Sequence, residues 1–552
     1  IYSIRGVIAI MEGDMDEAAS YLKAGLVIDN QNFNLLYNLA YLYQARGQKE
    51  EAVEYYKTAL SNADNEEDRD ELYKILTSLG CSDDLKRITN KEISSTSIVI
   101  LTYNNLEYNK LCLESIRKYT EAGTYEIIVV DNNSTDGTVE WLREQKDIKL
   151  IENQENLGFP KGCNQGIEIA EKQNDILLLN NDVIVTPNWL ENLRRCLYSS
   201  NDIGAVGSVT NSCSNHQTIP VVYSGFGEMI QFAVKNNISN KTLWEEKLKL
   251  IGFCMLIKRQ TINEIGLLEE IFTPGNFEDD DYSYRIRKAG YRLFLCKDSF
   301  IHHFGSVSFG KISEEYSQLL INNRKKFNQK WAVDASHVIH VNKNISQMIK
   351  NNGNLEDLNI LHIGCGGGGT LLDIKHVIPS ARLYGIEPVG EAVVNTQHFA
   401  QIEVGDINRV KDMDVRHYDY VIISQAEENL QEFITLVKTI ESYLKPNTYI
   451  YVDFSVQLDG WNIEFIREIA KKMSKYNFET RERKEQFVLE IGKTNEIKPF
   501  KKLVVRHYNK KDIKGLARRQ ETNIDINSRQ DMTFLLRRLE NDITIENGIE
   551  TL

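Results

Sequence analysis

Long apolar runs are missing from this 552-residue chain. Stretches such as "IGFCMLI" fall far short of the ~20 residues that cross a bilayer, so no transmembrane segment is expected. An excess of positive charge is missing as well. Lys and Arg number 65 against 79 Asp and Glu, a net charge of −14. That balance argues against nucleic acid as a partner, because a phosphate backbone calls for a basic surface. Paired cysteines are also absent. The eight cysteines are scattered and form no CxxC, which removes the usual zinc spacing and any disulfide framework. They read as reduced thiols of a cytoplasmic protein, at most peripheral to a membrane. The chain opens on Ile1 rather than Met and in mid-pattern, so it reads as a fragment whose upstream signals are out of view. At this length one core is too few, and three or four domains are expected.

The front of the chain repeats at a period of 34. Gly13 matches Gly47, Ala18 matches Ala52, Tyr21 matches Tyr55 and Leu26 matches Leu60. The small pairs Gly6/Ala40 and Gly25/Ala59 fall where helices must approach closely. Two such repeats, followed by a helix near Glu67–Leu79, resemble tetratricopeptide repeats, here over residues 1–90. Arrays of that kind present a concave face to a peptide, so a protein or peptide partner is implied.

From Ser97 the period changes. "SIVILTYNN", "YEIIVVDNNSTDGTVEWL" and "DILLLNND" are short apolar runs that end in polar turns and alternate with helix signals. That alternation predicts a parallel, doubly wound α/β sheet, in which ligands sit at the carboxyl ends of strands. Asp131, Asn132, Asn181 and Asp182 all lie at such ends. Further on, "FEDDDYSYRIRKAGYRLFLCKDSFIHHFG" places four acids, Glu278 to Asp281, at a helix start. Acids there complement the helix dipole, but four together repel, so some need a further partner such as a metal ion or a proton. His302 and His303 follow the next strand.

Taken in order, "TYNN", "VVDNNSTDGT", "ENLGFPKGCNQG", "LLLNND", "GFCMLIKR", "FEDDDYSYR…GYR", "HHFGSVS" and "NNRKKFNQKW" resemble the family-2 glycosyltransferases of the GT-A fold, over residues 94–335. The resemblance implies a nucleotide-sugar donor and a divalent metal, Mn²⁺ or Mg²⁺. It implies that Thr102, Tyr103, Asp131 and Asn132 line the nucleotide pocket, with an amide at 132 where many relatives carry an acid. It puts Gly158 and Asn164 in a loop over the nucleotide, Asn181 at the ribose and Asp182 on the metal. Asp279 matches the base, with Glu278 beside the donor. His303 is favoured over His302 as the second metal ligand. Oxygen and imidazole ligands suit a cation that neutralises a departing diphosphate, and an acceptor hydroxyl needs a base on the opposite face of the sugar. A single in-line displacement would invert the anomeric centre.

After a linker near Ser346–Asn354, "LNILHIGCGGGGTLLDI" is a strand, a glycine-rich turn and a helix start. With "ARLYGIEP" and "VGDI" behind it, residues 345–497 resemble class I S-adenosylmethionine methyltransferases, a Rossmann-like α/β fold. Gly364, Gly366, Glu387 and Asp406 match the cofactor positions. His362 stands where that family has an acid, and Gln425 after the fourth strand is not an obvious catalytic group. Active methylation and a retained fold used for packing therefore both stay open. Residues 498–552 form a tail with a basic patch and one expected helix.

The combined reading is an inverting, metal-dependent glycosyltransferase acting on Ser or Thr of a protein, such as a surface or flagellar subunit. The alternatives are a polysaccharide-elongating enzyme with a non-catalytic third region, and a binding scaffold with inert enzyme folds.

Overall fold

The computed structural model describes residues 2–28, 32–61, 66–79, 94–213, 217–305, 314–351, 355–406, 409–410, 417–424, 449–453 and 488–492. The tail and its expected helix lie outside these residues, as does Gln425. Two compact units are present, Ile1–Ser94 and Ser95–Leu552.

The first unit is helical, with helices at Tyr2–Glu12, Met15–Ile28, Phe33–Ala45, Lys49–Ser61 and Glu66–Ser78. Gly13 and Gly47 turn the chain between paired helices at φ +82° and +74°, a conformation that L side chains rarely adopt. The 34-residue match between them is thus a match of backbone requirement. Ala18, Ala40, Ala52 and Ala59 are fully buried. A Cβ on Gly6 would stand 2.6 Å from Leu22, so the small residues set how closely the helices approach.

The second unit holds two sheets. The first contains β1 (Thr96–Thr102), β2 (Tyr125–Asp131), β3 (Ile148–Glu152), β4 (Asp175–Asn180), β5 (Val183–Ile184), β6 (Ile203–Thr210), β7 (Trp244–Lys247), β8 (Cys254–Ile257) and β9 (Arg292–His303). Their order is β3-β2-β1-β4-β8-β6-β9-β5, with β7 also on β9. β1 lies parallel between β2 and β4, in register Thr102↔Asp131 and Leu101↔Asn180. Alternate side chains of β1 enter two cores, Ile98 and Ile100 on one face and Val99 on the other. The sheet is not parallel throughout, as the alternation of strands and helices predicted. β8 runs antiparallel to both β4 and β6. Strands buried on both faces read as apolar runs whatever their direction, and an antiparallel neighbour needs no crossover helix.

The second sheet contains β10 (Asn359–Ile363), β11 (Arg382–Glu387), β12 (Gln401–Val404), β13 (Tyr420–Ile423), β14 (Tyr449–Asp453) and β15 (Val488–Gly492), in the order β12-β11-β10-β13-β14-β15. Only β15 is antiparallel to its neighbour. The expected linker is instead a helix up to Asn351. In Lys343–Asn351, Ile345, Met348 and Ile349 fall at helical spacing and pack with Leu358, Ile360 and Leu371.

One loop between the strands is held with particular care. Asn276 and Phe277 adopt φ +69° and +74° immediately before the helix Glu278–Lys288. The left-handed region is unusual for a bulky side chain such as that of Phe277, and surrounding contacts must hold it there. The buried Asn323, on the helix Glu314–Trp331, does so by donating its amide to the carbonyls of Phe272, Gly275 and Asn276 at 2.8, 2.9 and 3.0 Å. Asn323→Ala strands these buried acceptors. It is expected to cost about 1–3 kcal/mol of stability by denaturant melts.

Candidate active site

The carboxyl ends of β1, β2 and β4 meet the end of β9. Asp182 follows β4, and β5 beyond it pairs with β9 as Val183↔His303 and Ile184↔His302. This pairing brings His303 Nε2 to 3.2 Å from Asp182 Oδ1. The other ring nitrogen, Nδ1, lies 2.7 Å from the Ser212 carbonyl oxygen. A carbonyl can only accept, so Nδ1 carries the proton, and a neutral His303 presents the Nε2 lone pair toward Asp182. The imidazole also stacks on Phe253, with ring centroids 5.2 Å apart.

These residues fit a divalent cation. Two neighbouring ligands of an octahedral ion at ~2.1 Å lie roughly 3.0 Å apart, close to the spacing here. A carbonyl behind the second imidazole nitrogen is the support such a ligand ordinarily has. Without a cation, burial lowers the His303 pKa, but the Asp182 carboxylate outweighs burial and raises it. The adjacent His302 goes the other way. Successive side chains of a strand point to opposite faces, and His302 is buried against Tyr223, with Nδ1 2.7 Å from the tyrosine hydroxyl. Burial pushes it down to about 3. His302 is therefore a packed neutral imidazole, bonded to Tyr223 rather than to Asp182. Among the described residues no group of three or more His, Cys, Asp or Glu surrounds a metal position.

Asp131 is buried, and one of its oxygens accepts from the Ser134 N–H at 2.8 Å. The other, Oδ1, is buried with no partner. A buried carboxylate oxygen without a donor is costly, which marks it as an acceptor for a ligand N–H or O–H. Several neighbours expected to meet the nucleotide are instead used by the protein. The Asn132 side chain bonds Asn153, Asn156 and the Gly158 carbonyl, and so pins the loop that runs to Gly158. Gly158 is needed for close approach, because a Cβ there would stand 2.8 Å from Pro274 Cα. Asn164 lies in the helix Phe159–Ile169, with its amide exchanging hydrogen bonds with the Leu268 backbone. The Asn181 amide nitrogen donates to Thr102 Oγ1 and Asn109 Oδ1, both at 3.1 Å. That leaves Asn181 only its carbonyl oxygen to offer a ligand. Tyr103 is exposed beside these turns.

The four acids of "EDDD" have four different surroundings. Asp281 is fully buried and structural, paired with Arg285 at 2.8 Å, Lys330 at 2.8 Å and the Trp331 indole at 2.7 Å. Asp280 pairs with Lys249 at 2.5 Å, and the same ammonium reaches Asp279 Oδ1 at 3.2 Å. Burial disfavours the charge on Lys249, but Asp279 and Asp280 together raise its pKa above the ordinary value. Asp279 Oδ1 also accepts the Asp280 N–H at 2.9 Å. Glu278 is buried with Oε2 unpartnered. Burial first, then the Asp279 charge, push it up to about 8. Glu278 is thus a protonated acid at neutral pH beside an ionised pair. Lys249 gave no sign of this role in the sequence, because an isolated lysine 31 residues from its partner has no local pattern.

Folding holds the Glu278 proton, so the folded chain binds more protons than the unfolded chain between the ordinary value of 4.5 and about 8. Stability therefore falls as pH rises through that window and levels off above it. Glu278→Gln keeps the shape of the neutral acid and removes the titration. It is expected to flatten the fall and to be more stable near pH 9 by on the order of 1 kcal/mol, read from thermal melts between about pH 5 and 9.

Comparison with known proteins matches three stretches of the chain to families. Residues 97–266 match the model of glycosyl transferase family 2, residues 9–77 that of the tetratricopeptide repeat, and residues 331–483 that of a methyltransferase domain. Glycosyltransferase AglE of Haloferax volcanii is 26% identical over 37% of this chain and 64% of its own length. The putative glycosyltransferase EpsH of Bacillus subtilis is 30% identical over 42% of this chain and 66% of its own. An uncharacterized protein of Sinorhizobium fredii, y4gI, is 25% identical over 39% of this chain and 25% of its own. The chain thus spans between a quarter and about two thirds of these relatives. It carries a family 2 glycosyltransferase domain, with tetratricopeptide repeats before it and a methyltransferase domain after it.

Proposed function

We propose that the central domain is an inverting, metal-dependent glycosyltransferase that moves a sugar from a nucleoside diphosphate to a hydroxyl. The observation that carries this reading is the Asp182–His303 pair at the strand ends, with His303 Nδ1 held by Ser212 and Nε2 turned to the carboxylate. Asp182 and His303 would hold a divalent cation, which when bound supplies positive charge to a departing diphosphate. Asp131 Oδ1 accepts a hydrogen bond from the nucleoside, as its buried and unpartnered state favours. Asp279 takes the proton of the acceptor hydroxyl at Oδ2, while Lys249 on Oδ1 keeps the carboxylate oriented. Glu278 stays neutral beside it, so the base is flanked by one charge fewer than the sequence suggests.

The acceptor is a protein side chain, Ser or Thr, brought by the repeats. Support comes from the repeat unit at the front of the chain, whose family presents peptide-binding surfaces. Methylation of the product is not included in this reading.

Asp182→Ala and His303→Ala are each expected to abolish Mn²⁺-dependent UDP binding in calorimetry. Asp279→Asn is expected to leave that binding unchanged and to lower turnover by ~10²–10⁴. Unchanged turnover in Asp279→Asn removes Asp279 as the base. Removing residues 1–79 is expected to spare donor hydrolysis and abolish transfer to a folded protein acceptor. Transfer that survives the truncation instead favours a polysaccharide acceptor.

A further inference from the structure

The methyltransferase domain keeps the outline of a cofactor fold, and its own chain lies in the cradle. β10 ends at a glycine-rich turn in which Gly364, Gly366 and Gly368 take φ +71°, +55° and +82°. Such a turn lets a ligand approach the backbone closely. Here the approaching group is a strap formed by the short helix Ala335–Val338 and the residues up to Asn342. A Cβ on Gly366 would stand 2.3 Å from the His337 carbonyl oxygen, one on Gly367 2.1 Å from that of Val338, and one on Gly369 2.3 Å from that of His340. Three carbonyls of the strap thus sit directly against the glycines. The Asn342 N–H then donates to Thr370 Oγ1 at 3.0 Å, at the start of the following helix.

The acid at the end of β11 is occupied as well. Glu387 is fully buried. Its Oε2 accepts the Gly366 N–H at 2.7 Å, and its Oε1 accepts the Val389 N–H at 2.9 Å and faces His337 Nε2 at 3.0 Å. A ribose diol would need the place of that imidazole. The strap is anchored at its outer end too. Asp334 pairs with Arg324 at 2.7 Å and accepts from the Ser336 N–H at 2.9 Å, while Val333, Ala335 and Val338 are buried against Phe272, Tyr284 and Phe327. The residues present therefore do not fit a bound adenosyl cofactor. They form a close contact in which both carboxylate oxygens of Glu387 are already paired within the chain.

We propose that residues 337–341 of this chain are the occupant of the cofactor cradle, latched by His337 on Glu387, and that this domain does not bind S-adenosylmethionine. Two measurements on the full chain test this. Equilibrium dialysis against labelled S-adenosylmethionine and S-adenosylhomocysteine, up to about millimolar, is expected to show no saturable retention. Retention with a micromolar constant overturns the proposal. The second measurement shows whether the latch is closed. In NMR of histidine-labelled protein, with the signal assigned through His337→Gln, the His337 ring is expected to titrate above an ordinary imidazole. That elevation is expected to shrink in Glu387→Gln. A His337 ring that titrates like a free imidazole in the unaltered chain means that the strap is not seated, and also overturns the proposal.

Discussion

One buried ammonium holds the acidic end of the site together. Glu278, Asp279 and Asp280 crowd into the first turn of a helix, and Lys249 is the cation that meets two of them. A buried charge is tolerated only with a partner at hydrogen-bonding distance. With one cation for three acids, the remaining acid gives way by keeping its proton, as Glu278 does. The left-handed Asn276 and Phe277 aim the helix start, and Asn323 holds the carbonyls of Gly275 and Asn276. Asp281 faces the other way, into Arg285, Lys330 and Trp331, and so fixes the rotation of the helix.

The opposite end of the site solves the same problem differently. Asp182 has no lysine or arginine beside it among the described ion pairs, only an imidazole whose far nitrogen is committed to a carbonyl. That arrangement leaves the Asp182 carboxylate without a fixed cation, whereas Asp279 and Asp280 share the ammonium of Lys249. The two acidic ends thus differ in surroundings, one facing an imidazole and the other an ammonium.

How much of this could be read from the sequence depended on distance along the chain. The 34-residue repeat, the polar turns after β1, β2 and β4, and the glycines before residue 370 are local patterns, and each lies where the pattern put it. Asp182 and His303 could be paired in advance only through family resemblance, since 121 residues separate them. Strand direction was not legible, because β8 is apolar on both faces whichever way it runs. Asn132, Asn164 and Asn181 were assigned to the ligand by motif. An amide has both donor and acceptor capacity, and here the neighbouring backbone and side chains use much of it first. The glycine-rich turn was matched to a cofactor position, while the group that lies against it belongs to a strap some thirty residues upstream.

The apolar cluster around Phe327 has a further consequence. Phe272, Tyr284 and Phe327 come from the glycosyltransferase side, and Val338 and Ala392 from the strap and the methyltransferase side. Polar links run alongside it: the Tyr284 hydroxyl to the Glu391 carbonyl at 2.7 Å, and the Asn395 amide to the Tyr291 carbonyl at 2.9 Å. Neither half owns this cluster, so neither can lose its shape while the other keeps it. The two folds are separate in topology and share this apolar cluster. In evolutionary terms they form one heritable part. Exchanging either fold for a relative's would require the substitute to match side chains that belong to the other, Phe272, Tyr284 and Phe327 in one direction and Val338 and Ala392 in the other.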